Sequence, residues 1–269
     1  MRRRLCITAL ALLLGSVLPA AGINSYRRYD VRSGLSDNSV KDICQDKNGY
    51  MWFATKDGLN RFDGHQFDVF GSSLTGDLLN IDVILPHSDG IRIWVGSTQS
   101  LMLFDPRDES FVKFDMQSGD GAKILNSNSL FYDLAGNLWI GSEKGLFQWD
   151  EQSRRLIRLD LHDSCGESCN IIRSIFGNNQ GDIWIGTIRG LFRYDRSARN
   201  NFSPALRPNP ESTLMGDNEI TAIVQIEEDK LLIGTQNGHL AEFDIGTGKF
   251  KGTPAISTDG TSLSVTRIP

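Results

Sequence analysis

Residues 181–195 read GDIWIGTIRGLFRYD, and this stretch decides the fold because close copies of it recur along the chain. The clearest copy, GNLWIGSEKGLFQWD, occupies residues 136–150, and a third, GYMWFATKDGLNRFD, occupies residues 49–63. Two more divergent copies begin at Gly90, where Ser100 replaces the later glycine, and at Leu231, where Leu232 replaces the tryptophan. A repeat of about 45 residues is typical of propellers and solenoids.

Each repeat reads as four short strands separated by turns. Apolar runs rich in Val, Ile, Phe, Trp and Tyr are cut by Gly, Asn and Asp, which is a pattern of strands and tight turns. Four antiparallel strands per repeat form one blade of a β-propeller. We therefore predict an all-β propeller with blades at about residues 33–70, 80–115, 127–160, 170–203 and 218–252.

The two ends of the chain extend this pattern. Residues 25–30 resemble the closing fourth strand of a blade, and residues 262–269 resemble the start of a sixth blade. We expect about five and a half blades, as the N-terminal part of a longer protein. The alternative is a ring of five blades, which would leave both ends as unpaired apolar edges.

The second strand of each repeat carries the signature. It is apolar on both sides, so we predict that both of its faces are buried. Its tryptophan recurs once per repeat, which favours packing between blades over stacking on a ligand. The small residue that follows indicates close approach of a neighbouring backbone. The signature residues are Trp52, Trp94, Trp139, Trp184, Gly96, Gly141, Gly186 and Gly234.

The third strand ends in an aromatic residue followed by aspartate. One aspartate per repeat at the start of a turn is expected to accept backbone hydrogen bonds, not to form a catalytic array of carboxylates. These residues are Asp63, Asp105, Asp150, Asp195 and Asp244.

Residues 1–22 have the pattern of a secretory signal peptide. Three arginines precede an apolar run over residues 5–18, and small residues follow up to Gly22. The run is shorter than a comfortable membrane span. Without this leader the chain has 25 Lys and Arg against 33 Asp and Glu. We therefore predict an exported, acidic domain over residues 23–269, and an acidic domain is a poor nucleic-acid binder.

Three cysteines follow the leader, and an exported protein permits disulfides. Cys165 and Cys169 are spaced to close a small loop, although two free thiols on that loop are the alternative. Cys44 is expected to remain as a buried thiol in a strand.

No catalytic or metal-binding pattern stands out. The four histidines, His65, His87, His162 and His239, are not at metal-ligand spacing, and the nucleophile motif G-x-S-x-G is absent. The phosphate-loop-like run at residues 246–249 lacks its first glycine and reads as a hairpin turn. We expect no cofactor, no metal and no enzymatic activity in this chain.

The repeats resemble the two-component regulator propeller repeat, which reads G-x-L-W-I-G-T, then G-L, then an aromatic residue and Asp. The resemblance covers residues 25–269, and residues 33–64 are very similar to the first blade of such proteins. It implies the periplasmic sensor region of a hybrid two-component histidine kinase that senses oligosaccharides released from complex glycans. It also implies a ring of seven blades, of which this chain holds about five and a half. In the rest of the protein it implies further propeller and β-sandwich domains, a membrane span and a kinase, and it implies a possible homodimer.

Two other functions remain open at this stage, because propellers serve many functions. One is an exported lyase or glycosidase, and the other is a scaffold that binds only proteins. The links between blades vary in length and polarity, so the face that carries them is the expected recognition surface. Residues 200–218 form the longest of these links.

Overall fold

The structure, a computed structural model, describes residues 27–71, 80–98, 100–114, 126–151, 153, 155–159, 161, 170–178, 180–195, 201–204 and 219–253. These residues form twenty β-strands and one short 3-10 helix at Val31–Ser33. Within these ranges no helix is long and apolar enough to cross a membrane.

The strands form five four-stranded antiparallel sheets, and in each sheet the strands lie side by side in chain order. This arrangement is a propeller blade, so the predicted all-β propeller is confirmed. The first blade contains β1 (Val40–Gln45), β2 (Met51–Thr55), β3 (Gly58–Phe62) and β4 (Phe67–Phe70). The second contains β5 (Ile81–Pro86), β6 (Ile93–Ser97), β7 (Leu101–Asp105) and β8 (Ser110–Phe114). The third contains β9 (Ser127–Tyr132), β10 (Leu138–Ser142), β11 (Gly145–Asp150) and β12 (Arg155–Leu159). The fourth contains β13 (Ile172–Gly177), β14 (Ile183–Thr187), β15 (Gly190–Asp195) and β16 (Asn201–Pro204). The fifth contains β17 (Ile220–Glu227), β18 (Lys230–Thr235), β19 (Leu240–Asp244) and β20 (Lys249–Thr253).

The first strands of the five blades lie around a common axis. β1 contacts β5, β5 contacts β9, β9 contacts β13, and β13 contacts β17. All five also line one cavity. The described residues provide no packing of comparable extent between β17 and β1, so the arc of five blades is open on that side. The number of blades in the complete ring stays a prediction.

Each signature tryptophan lies in the interface between its own blade and the next. Trp52, Trp94, Trp139 and Trp184 are each at most 1% exposed. Trp139, for example, lies in a cluster with Leu146 of its own blade and with Ile172 of the following blade. Similar clusters surround the other three tryptophans, so burial of apolar surface holds consecutive blades together.

The small residue of the signature lies where the next blade approaches. A Cβ atom on Gly141 would stand 2.6 Å from Cγ2 of Ile172, the first residue of β13. The neighbour at this position is therefore a side chain, whereas the sequence predicted a backbone. At Gly186 the neighbours also include the backbone carbonyl oxygen of Ile220, which a Cβ atom would meet at 2.8 Å. Gly96 and Gly234 occupy the equivalent positions of β6 and β18.

An aspartate in the turn between the first and second strands holds the indole of the signature tryptophan. In the third blade Asp133 Oδ1 accepts the backbone N–H groups of Ala135 (2.9 Å) and Asn137 (3.0 Å). Its other oxygen accepts the indole N–H of Trp139 at 3.1 Å. Burial raises the pKa of Asp133, but the hydrogen bonds from Asn137 and Trp139 outweigh burial and lower the pKa below its ordinary value. Asp46 holds Trp52 in the same way in the first blade.

In the fourth blade the two polar residues of this turn are exchanged. Asn178 stands where the third blade has Asp133, and Asp182 stands where it has Asn137. The Asn178 amide donates to Asp182 Oδ2 at 3.0 Å. The indole N–H of Trp184 is consequently buried without a hydrogen-bond acceptor among the residues that the structure describes.

We expect the double substitution Asn178→Asp/Asp182→Asn to stabilise the fold, because it gives the Trp184 indole N–H an acceptor. The expected rise in the free energy of unfolding, measured by urea denaturation, is about 1 kcal/mol. Loss of the half-exposed Arg193–Asp182 ion pair (2.6 Å) should offset little of it. The single substitution Asn178→Asp places its carboxylate beside that of Asp182, so it should raise the free energy of unfolding less than the double substitution does. If the double substitution leaves the free energy of unfolding unchanged, the missing acceptor of the Trp184 indole N–H does not limit stability.

The aspartate that ends the third strand organises the next turn. Asp63 Oδ1 accepts the backbone N–H groups of His65 (2.7 Å) and Gln66 (2.8 Å). The backbone N–H of Gln66, and then that of His65, lower the pKa of Asp63 below its ordinary value. Asp244 accepts the N–H of Thr247 at 2.7 Å. Asp105 and Asp150 accept backbone N–H groups in the same way. The side chain of Asp195 is not among those that the structure describes.

Several predictions about the two ends of the chain and about its cysteines concern residues that the structure describes only in part or not at all. Residues 27–30 form no strand, and Tyr29 packs instead on the rings of Phe62 and Phe67, so their closing role stays a prediction. Cys44 is half-buried on β1, not fully buried as predicted, because its strand lines the axial cavity. The leader at 1–22, the pair Cys165 and Cys169, and residues 262–269 lie outside the described ranges.

Candidate functional site: the axial cavity

A β-bulge recurs at the same place in the first strand of every blade. In the first blade Val40 pairs with Thr55 and Asp42 pairs with Ala54, so Lys41 is an extra residue without a partner in the ladder. The same shift occurs in the other four blades. Bulges re-aim a side chain and are common at the rims of barrels and beside active sites. The extra residues are Lys41, Asp82, Asn128, Arg173 and Thr221, and we call them the bulge ring.

The bulge ring surrounds one mouth of the axial cavity. Each of its members is the second residue of a strand that begins at the link from the preceding blade. The ring therefore lies on the face that carries the links, which we call the link side. Four of its members, Lys41, Asn128, Arg173 and Thr221, line the cavity, and Asp82 occupies the equivalent position on β5. The cavity has a volume of about 650 Å³, enough for a small organic ligand.

Beyond the bulge ring the cavity wall is largely apolar. The first strands alternate, so residues further along them present aliphatic and aromatic side chains to the axis. Ile43 is 37% exposed, which is unusual for isoleucine in a sheet interior. The other apolar residues that line the cavity include Leu85, Phe131, Phe176 and Val224. An apolar wall under a few convergent polar groups is the usual composition of a small-molecule site.

Arg173 ties three blades together at the link-side mouth. Its Nε lies 2.7 Å from Glu219 Oε1, just before the fifth blade, and its Nη1 lies 3.3 Å from Glu143 Oε1 of the third blade. Asn126 donates to the other oxygen of Glu143 at 2.6 Å. Since Arg173 and both glutamates are largely buried or half-buried, this network fixes one side of the mouth.

Two further members of the bulge ring are also held by the protein. The Asn128 amide donates to the carbonyl oxygen of Ile172 at 2.9 Å. The Thr221 hydroxyl donates to the carbonyl oxygen of Gly234 at 3.4 Å. Their polar groups therefore serve the contacts within and between blades.

Lys41 and Asp82 differ from the rest of the ring. They occupy equivalent positions on the neighbouring strands β1 and β5. Burial raises the pKa of Asp82, the ammonium of Lys41 lowers it, and the carboxylate of Glu143 raises it, with a net rise. None of the residues described donates a hydrogen bond to this carboxylate. Among the described residues, the half-buried Asp82 is thus an acceptor that remains open to water or a ligand.

The raised pKa of Asp82 predicts how the stability of the fold depends on pH. A carboxyl group whose pKa is higher in the folded state stabilises the fold only while it is protonated. We therefore expect Asp82→Asn to be more stable than the parent at pH 7, with the advantage disappearing as the pH falls below 3.8, the ordinary value. Thermal denaturation across pH would measure this difference.

Asp63→Asn is the matched control with the opposite sign, because the pKa of Asp63 is lowered. Its substitution should reduce stability at pH 7, and the loss should vanish only at pH values below the lowered pKa. If the stability differences of the two variants from the parent change with pH in the same direction, the raised pKa of Asp82 is not their cause.

The structure does not bring the four histidines together. His65 is exposed, and His239 is half-buried in the fifth blade. His87 is buried, its Nδ1 accepts the N–H of Asp89 at 3.1 Å, and its Nε2 lies 3.2 Å from Glu151. His162 lies outside the described residues. Across the described part of the chain, no group of three or more His, Cys, Asp or Glu is placed to hold a metal ion.

Sequence reasoning missed the bulge ring. Each first strand does show a polar residue in its second position, but a single inserted residue is not visible in an alternating pattern of only six to eight residues. The longest link, residues 200–218, lies almost wholly outside the described residues.

Comparisons with known proteins agree with the repeat pattern. The family model for the two component regulator propeller matches residues 34–57 and 166–189. Histidine kinase P4 of Formosa agariphila is 49% identical over 45 residues, which are 17% of this chain and 3% of that protein. This chain therefore spans only a small part of that relative.

Solved structures show the same fold. The extracellular domain of BT4673 from B. thetaiotaomicron, described as a one component system or a hybrid two component system, matches with a TM-score of 0.68 and 21% identity. The match covers 81% of this chain and 28% of that chain. PorZ, a surface component of the type-IX secretion system of Porphyromonas gingivalis, matches with a TM-score of 0.61 and 20% identity, over 80% of this chain and 33% of that one.

Proposed function

We propose that this chain, which carries repeats of the two component regulator propeller type, is the extracytoplasmic ligand-binding part of a two-component signalling protein. Its ligand is an oligosaccharide derived from a glycan, and the axial cavity binds it. The leader pattern of residues 1–22 supports export to the periplasm. The name of the relative from Formosa agariphila supports a histidine kinase in the remainder of the protein.

The observation that carries this proposal is the composition of the axial cavity. A saccharide presents hydroxyl groups along its edge and C–H groups on its faces. On the link side the bulge ring supplies the ammonium of Lys41 and the carboxylate of Asp82 beside the guanidinium of Arg173, and the cavity wall includes Phe131 and Phe176. This combination suits a ligand that is polar at its edge and weakly apolar on its faces.

The mouth also offers a physical route from binding to signalling. Arg173 connects the third, fourth and fifth blades through Glu143 and Glu219. A ligand that contacts this network stabilises one arrangement of the three blades relative to others, by its difference in affinity for those arrangements. Domains that pack against the propeller, including a possible second subunit, would respond to that arrangement.

Binding is tested by adding a panel of oligosaccharides to the purified chain and measuring thermal unfolding and heats of binding. A ligand at 100 times its Kd should stabilise the fold by about 2.7 kcal/mol. Arg173→Ala should abolish this stabilisation, whereas Arg107→Ala, an exposed residue on the opposite face, should leave it unchanged. Equal binding by both variants would exclude the link-side mouth as the site.

A protein-binding scaffold is a second candidate, favoured by apolar side chains on the opposite face. The turns between first and second strands expose a large apolar residue in the first three blades, and the fifth blade exposes one near the end of β17. These residues are Tyr50 (36% exposed), Ile91 (38%), Leu134 (69%) and, on β17, Ile226 (45%). Binding of a defined protein partner that Leu134→Ser abolishes and that no glycan affects would favour this function.

A propeller lyase or glycosidase has less support. Such an enzyme requires an acid and a base placed on either side of a substrate. Turnover of a glycan that depends on Asp82 or Glu143 would reveal such an enzyme, and turnover that depends on His87, His162 or His239 would support the lyase or glycosidase considered from the sequence.

A further inference from the structure

Two members of the bulge ring, Lys41 and Asp82, have polar groups that can bind a ligand at the link-side mouth. Asn128, Arg173 and Thr221 all have hydrogen-bond partners within the protein. Lys41 and Asp82 have no hydrogen-bond partner among the described residues, although they occupy equivalent bulge positions on adjacent strands. The Lys41 ammonium only donates hydrogen bonds, and the Asp82 carboxylate, when ionised, only accepts them.

We propose that Lys41 and Asp82 together hold two neighbouring hydroxyl groups of an uncharged sugar residue at the link-side mouth. This inference rests on the proposed function and specifies its ligand class. A hydroxyl group both donates and accepts, so a pair of adjacent hydroxyls can donate to the Asp82 carboxylate while accepting from the Lys41 ammonium. Hydrogen bonds to charged groups are the strong ones, which gives this pair a large share of the specificity.

The charges around the mouth disfavour ionic ligands. An acidic sugar would bring its carboxylate or sulfate near Asp82, Glu143 and Glu219, while the nearby guanidinium of Arg173 is already shared by the two glutamates. A cationic ligand would face the ammonium of Lys41. Like charges brought close together in a partly buried site repel each other and weaken binding. An uncharged ligand meets neither penalty.

The wall below the pair favours the same class. Ile43 follows Lys41 by two positions on β1 and remains 37% exposed toward the axis. Leu85 extends the apolar surface from β5. The C–H face of a neutral sugar ring can cover this surface while its hydroxyl edge reaches the charged pair.

The test measures binding of neutral tetrasaccharides (cellotetraose, mannotetraose and arabinotetraose) and of tetragalacturonate by calorimetry. The protein is the whole exported chain, as the parent and as Lys41→Ala and Asp82→Ala. We expect a neutral probe to bind the parent and each substitution to weaken it at least about tenfold, because each removes a hydrogen bond to a charged group. Tetragalacturonate should bind the parent at least about tenfold more weakly than that neutral probe.

Lys249→Ala and Asp229→Ala are the matched controls, since both residues are exposed on the face opposite the link side. They should bind like the parent, and all variants should retain the far-ultraviolet circular dichroism of the parent. If Asp82→Ala folds poorly, Asp82→Asn takes its place in the test. This variant keeps the size of the side chain and one acceptor, so its affinity should be lower than that of the parent but not lost.

The outcomes separate this inference from the proposed function. If a neutral probe binds but neither substitution weakens it, or if tetragalacturonate binds more tightly, the role of the pair is wrong and the sensor function stands. If no oligosaccharide binds the parent, the proposed function itself is wrong.

Discussion

Replacing Trp139 with alanine should lower the free energy of unfolding by about 3–5 kcal/mol. Trp139 is 1% exposed, and its ring packs edge-on against Tyr194 of the next blade at a centroid distance of 4.9 Å. The substitution removes the largest side chain of the interface between the third and fourth blades and leaves a cavity. It also removes the donor at 3.1 Å from the buried Asp133 carboxylate. A domain stable by about 5–15 kcal/mol would lose a large part of its margin.

Guanidinium denaturation followed by circular dichroism measures this loss. The matched control is Ile157→Ala in the same blade, where the side chain is 46% exposed and the expected change is within about 0.5 kcal/mol. Trp139→Phe should lose less than the alanine variant, because the ring is retained and only the indole N–H is removed. If Trp139→Ala unfolds like the parent but no longer binds a glycan, the indole would be a binding residue and not a packing residue.

Replacing Gly186 with alanine should cost about 1–3 kcal/mol, and replacing it with valine should cost more. The added Cβ atom would lie 2.8 Å from both Cγ2 and the backbone oxygen of Ile220 in the fifth blade. A side chain can rotate away from such a contact, but the backbone of β17 is held by its hydrogen bonds to β18. The fifth blade must therefore move away from the fourth, which also separates Trp184 from Phe243.

Two glycines serve as controls for Gly186. At Gly141 the nearest atoms belong to the side chains of Ile172 and Ile175, so Gly141→Ala should cost less than Gly186→Ala. At Gly246 the nearest atom is an oxygen of the Asp244 side chain at 3.6 Å, so Gly246→Ala should change the free energy of unfolding by less than about 0.5 kcal/mol. Equal losses at Gly186 and Gly246 would show that the approach of the next blade does not limit residue size.

The repeat made the architecture predictable. Trp184 and its counterparts recur with strand-like apolar neighbours, and a period of about 45 residues leaves room for four strands and their turns. The roles of Asp63 and Asp244 as turn acceptors also follow from local chemistry, because an aspartate side chain can reach N–H groups two or three residues ahead. The sequence could not show that Asn178 leaves the Trp184 indole without an acceptor among the residues that the structure describes. That consequence depends on the distance between a turn and a buried ring.

The candidate site could not be read from the sequence. Lys41 and Asp82 are separated by a whole blade, and nothing local distinguishes them from other polar residues in short strands. The tertiary structure decides their role in two steps. The bulge inserts one residue into each first strand, and the arc of blades then places the five inserted residues on the link side, where four of them line the axial cavity.

The amino-acid sequence by itself therefore determined the blade, its count of strands and its buried tryptophans, because strand and turn preferences and apolar periodicity act over a few residues. Only the tertiary structure decided which polar groups face the axis and which of them keep an unused hydrogen bond. Those properties arise from register and from contacts between residues more than 40 positions apart, such as Asp42 with Ile84.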